Sequence, residues 1–74
     1  MNFKHYLEGE VKQGFLTERA AKCLLAEACR ILGIKESQGS KLKIVAGVIF
    51  VDKDGEESVE LGELLYKCGG RTGG

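Results

Sequence analysis

The chain has 74 residues, no proline, three cysteines and a formal net charge of zero from 11 basic and 11 acidic side chains. That length suits one hydrophobic core, and the apolar content favours a folded domain over a disordered one. No apolar run approaches the roughly 18 residues of a membrane span, and no charged-then-apolar leader opens the chain, so a cytoplasmic protein away from the membrane is expected.

Asn2 is a suitable helix N-cap, and Phe3, Tyr6, Leu7 and Val11 recur at helical spacing. They predict a first helix over about 2–13, stopped near Gly14. Thr17 caps a second helix over 18–32, whose stripe of Ala21, Leu24, Leu25, Ala28, Ile31 and Leu32 ends at Gly33. The short joint Gly14-Phe15-Leu16 folds the two into an antiparallel pair. Lys35 to Lys41 reads as a polar loop.

The period then changes from helical to β-branched. Leu42 to Val51 reads as one continuous strand, with Leu42, Ile44, Ala46, Val48 and Phe50 on one face and Val45, Ile49 and Val51 on the other. A turn at Asp52-Lys53-Asp54-Gly55 returns the chain into a short strand over about 56–60. Leu61, Leu64, Leu65 and Cys68 fall at i, i+3, i+4 and i+7, which predicts a short helix over 61–68. Residues 69–74 read as a flexible glycine-rich tail. The expected class is α+β: one domain over 1–68, an antiparallel helix pair packed on a β-hairpin, with a short C-terminal helix.

Cys23, Cys29 and Cys68 are odd in number and lack the spacing of a disulfide framework, so reduced thiols are expected. His5 is the only histidine, and with three scattered thiols it makes a poor zinc set. No cofactor, no metal and no enzymatic activity are expected: there is no phosphate-binding glycine loop, and no Cys/His pair that spacing would bring together.

Three segments carry local resemblances. Asp52 to Glu63, D-K-D-G-E-E-S-V-E-L-G-E, resembles an EF-hand calcium loop, with acids at positions one, three, five and nine and a Glu at twelve. Glu57 occupies the sixth position where that family needs Gly, and the run before Asp52 is β-branched rather than helical; a solvated hairpin turn accounts for the same residues. Ala28 to Ser37 is similar to the first helix and turn of helix-turn-helix regulators, which would place a recognition helix over about 35–44. With it goes a basic set, Arg19, Lys22, Arg30, Lys35, Lys41 and Lys43, able to meet phosphates. The terminal Gly73-Gly74 resembles the tails of ubiquitin-like modifiers, although that family opens with a hairpin and this chain opens with helices.

With catalytic signatures absent, function is expected to lie in a surface. The first reading is a small regulatory or inhibitory protein that binds another protein, or a second copy of itself, in the manner of small bacteriophage inhibitors of host factors. Its contact is expected at an open strand edge near Val45, Ile49 and Val51, rimmed by Asp52, Asp54, Glu56, Glu57 and Glu60. The alternative is a nucleic-acid-binding regulator that uses the basic set.

Overall fold

The computed structural model describes residues 1–51 and 57–68. The first helix, α1, runs from Phe3 to Lys12, and the Asn2 side chain caps it by accepting the His5 N–H at 3.1 Å. Phe3 and Leu7, four residues apart, turn one face inward and are buried. The second helix, α2, spans Glu18–Leu32, with Thr17 Oγ1 accepting the Ala20 N–H at 3.0 Å. It ends at Gly33, whose left-handed φ of 74° lets the Ile34 N–H reach back to the Cys29 carbonyl at 2.9 Å. Between Glu36 and Lys41 the backbone makes a 3-10 segment, and β1 begins directly after it at Leu42. The segment similar to a recognition helix is therefore a short turn followed by a strand, and the helix-turn-helix resemblance is not realised.

The apolar run is not one strand. It forms β1 (Leu42–Val45) and β2 (Val48–Val51), joined by a two-residue turn. Ala46 and Gly47 both have positive φ, 52° and 79°, the combination that closes a tight hairpin matching the natural strand twist. β3 (Ser58–Glu60) then pairs with β2, giving a three-stranded antiparallel sheet in the order β1-β2-β3. The expected hairpin partner for the run is thus the third strand of a meander, and the acidic turn at 52–55 lies outside the described residues. The last helix, α3 (Leu61–Cys68), follows β3 without a linker, and its first N–H bonds the Gly47 carbonyl at 2.8 Å.

The turn reverses the side-chain parity. Ile44 faces Ile49, which faces Val59, and all three are buried beneath the helices. A single core joins them to Phe3, Leu7, Leu24, Leu42 and Leu64. Each fully buried Leu, Ile or Phe side chain contributes about 1.5–3 kcal/mol. Because Leu64 of α3 belongs to this same core, all three helices lie on one side of the sheet.

The cysteines also depart from expectation. Cys23 of α2 and Cys68 of α3 form a disulfide, with Cα atoms 6.0 Å apart, and Cys29 is the free thiol, buried in the core. Their sequence separation of 45 hid the pairing from any reading of local spacing; α3 docking along α2 creates it. Closing a loop of that length stabilises the fold by about 4 kcal/mol on a chain-entropy estimate.

Two outcomes check this architecture. Ala46→Asn relieves a side chain held in the left-handed region and stabilises the domain by about 0.5–1 kcal/mol, a rise of a few degrees in thermal midpoint, whereas Ala46→Val lowers the midpoint. Thiol titration of the denatured, unreduced protein finds one thiol, Cys29, rather than three.

Candidate interaction surface

Among the described residues, the helices cover one face of the sheet and none covers the other. Strand alternation puts two rows on that outer face: Lys43, Phe50 and Ser58 side by side, then Val45, Val48 and Glu60. Val45 is 56% exposed, and none of Val45, Val48 or Phe50 packs against the core. Exposed Val45 and half-buried Val48 and Phe50 therefore share the outer face, flanked by Lys43 at one corner and Glu60 at the diagonal one.

The expected site residues divide accordingly. Val45 lies on the open face. Ile49 has 0% exposure and Val51 packs against the core, so neither belongs to that face. Glu57 and Glu60 are exposed. Asp52, Asp54 and Glu56 lie outside the described residues. The expected open edge is closed as well: β2 is central, and on β1 the Ile44 N–H donates to the Met1 carbonyl at 2.7 Å beside an Asn2–Lys43 bridge.

Residues missed in the sequence complete the surface. Val48 and Phe50 share a face with Val45, whereas counting through the turn as one strand sets them opposite it. Glu60 also lines a shallow concavity with Gly62, Glu63, Tyr66 and Lys67 of α3, so the open face continues onto the exposed side of that helix. Tyr66 is 91% exposed. Its signal was its place off the Leu61-Leu64-Leu65-Cys68 stripe, which marks a large ring with no core to enter.

The basic set does not gather on one surface. Lys43 stands on the outer sheet face, whereas Lys22 borders a groove of about 450 Å³ between α1 and α2, floored by Leu7, Val11, Ala21 and Leu25. Arg30 is held by Glu27 through two bonds, Nε to Oε2 at 2.9 Å and Nη2 to Oε1 at 3.1 Å. That hydrogen-bonded pairing lowers the Glu27 pKa and raises that of Arg30. Arg19 is exposed on α2, and Lys35 precedes the 3-10 segment that Lys41 ends. The α1–α2 groove carries both signs of charge at its rim, Lys4, Lys12 and Lys22 against Glu8 and Glu18.

Chemistry is sparse elsewhere. Among the described residues no three His, Cys, Asp or Glu side chains converge on a point that could hold a metal ion, and no helix is long and apolar enough to cross a membrane. The segment similar to a calcium loop follows β2, and its described portion is Glu57, β3 and the start of α3. Cys29 is only 1% exposed, and burial, followed by the nearby Glu36 charge, raises its thiol pKa. Comparison with known protein families, curated sequences and solved structures finds no match.

The two faces separate cleanly in a stability experiment. Val45→Thr changes the free energy of urea unfolding by no more than about 0.5 kcal/mol, as at an ordinary surface position. Ile49→Ala costs about 2–5 kcal/mol through the cavity it leaves. Similar values for both would mean that the strand parity is not as described.

Proposed function

We propose that this chain is a small non-enzymatic regulatory or inhibitory protein that binds another protein through the open face of its sheet and the adjoining side of α3. The supporting observation is the cluster of Val45, Val48 and Phe50 on a face that none of the described helices covers. Exposed apolar clusters with polar rims mark contact sites in soluble proteins.

The size of the face constrains the partner. Six side chains at strand spacing occupy a footprint of roughly 200 Å². A stable interface needs about 800 Å² on each side. Two copies meeting by sheet faces alone would associate only weakly. A partner that also reaches Tyr66 gains a second aromatic anchor beside Phe50, and aromatic anchors dominate interface energetics. Glu57, Glu60 and Glu63 are exposed around this surface, so the partner chemistry that fits is an apolar patch ringed by Lys or Arg. The proposed working compartment is the cytoplasm, where thiol reductants act on disulfides.

Affinity capture with three baits, after nuclease treatment, tests the reading. Wild type and the double variant Arg19→Glu/Lys22→Glu recover the same partner, while Phe50→Glu/Tyr66→Ala loses it without a large change in thermal midpoint. Loss of capture by the helix variant with retention by the sheet variant, together with steep weakening between low and moderate salt, would move the interface to the basic helix and favour nucleic acid.

A further inference from the structure

α3 is eight residues long, and Leu64 is its only fully buried side chain. A helix of two turns does not hold itself together in water, so its position comes from what ties it down. At its first residue it is continuous with β3 and hydrogen-bonded to Gly47; at its last, Cys68 is bonded to Cys23 of α2. Tyr66 and Lys67 lie in the last turn, next to that bond, and with Glu60 and Glu63 they line the concavity continuous with the open sheet face. Both bonded cysteines are half-buried, within reach of a small thiol, whereas Cys29 is sealed in the core. Much of the core comes from the other elements: Phe3, Leu24, Leu42 and Ile49, each at 0% exposure, belong to α1, α2, β1 and β2.

We infer that the Cys23–Cys68 bond is a redox latch on the interaction surface. Closed, it holds the Tyr66 turn of α3 beside the sheet; opened, that turn detaches while α1, α2 and the sheet stay folded. The consequence for binding rests on the function proposed above, but the latch itself does not. Opening is a two-electron reduction by a dithiol. A thiolate of the reductant attacks one sulfur of the bond, and the other leaves as a thiolate and takes up a proton. The second thiol of the reductant then displaces the first protein sulfur, leaving two protein thiols and a cyclic disulfide. In its reduced form the chain presents Val45, Val48 and Phe50 without the Tyr66 wall, and partner affinity falls.

Amide hydrogen exchange on the full chain tests this in the absence of any partner. Three samples are compared: oxidised wild type, wild type reduced by a dithiol, and Cys68→Ser. In the second and third samples amides of α3 exchange within about ten-fold of unprotected rates, while those of α2 and β2 fall with the loss of global stability but stay at least about a hundred-fold better protected than α3, as for one locally opening unit. Unchanged α3 protection overturns the latch. Equal residual protection across the chain also overturns it, since the bond would then be only a general staple, and so does recovery of three free thiols after refolding in an oxidised-thiol buffer. Any of these results leaves the sheet-face surface standing, and failure of the capture experiment leaves the latch standing.

Discussion

An apolar segment such as Leu42–Val51 cannot stand as a single solvated strand, because both of its faces would need cover. The two-residue turn at Ala46 and Gly47 resolves this by folding the segment onto itself, so that half of its hydrogen-bonding groups are satisfied within ten residues. Two consecutive left-handed residues carry a conformational cost at Ala46, and that cost sets everything beyond it. The register Val45↔Val48 follows from the turn, the row Ile44–Ile49–Val59 follows from the register, and that row is what α1 and α2 cover. β3 reaches its place only because β2 has been made central. α3 in turn begins on a hydrogen bond to the Gly47 carbonyl. Shifting the turn by one residue would exchange the buried and exposed sets of β2.

The same turn explains what was legible in the sequence. Both long helices were readable because their information is local: an Asn2 or Thr17 cap, an apolar stripe at helical spacing, a glycine stop. The short C-terminal helix was readable from four residues, Leu61, Leu64, Leu65 and Cys68. The β1–β2 hairpin was not, because Ala46 carries no turn signature; an Asn or Asp before Gly47 would have announced it. The acidic Asp52–Gly55 stretch has stronger turn chemistry and drew the assignment to itself. Counting residue parity through the concealed turn then placed Val48 and Phe50 on the face opposite Val45, and grouped Val45 with Ile49. The candidate surface was therefore half legible. Its acidic rim at Glu57 and Glu60 was visible as charge, whereas its apolar centre depended on register, a non-local property.

Both ends of the sheet are managed without long connections. Met1 and Asn2 meet the outer side of β1, and β3 is only three residues long before it becomes α3. Short or covered edges limit pairing with stray strands. Under the proposed function, what remains for recognition is a face, on which side chains rather than backbone groups would decide the partner. Such a surface discriminates by shape and by the placement of charge, so the diagonal arrangement of Lys43 and Glu60 about the apolar centre favours one docking orientation over its reverse.

The burial of Cys29 has a consequence for how the chain reaches its oxidised form. Three thiols allow three single bonds, and Cys29 lies closer in sequence to Cys23 than Cys68 does, so loop closure alone favours the wrong pair. Small domains fold in about microseconds to seconds. Thiol oxidation is slower, taking seconds to hours. Cys29 is thus withdrawn into the core before an oxidant can act on it, and the two thiols left within reach are Cys23 and Cys68. Fast packing acts as a kinetic filter on slow chemistry, selecting the pairing without an isomerase to correct it.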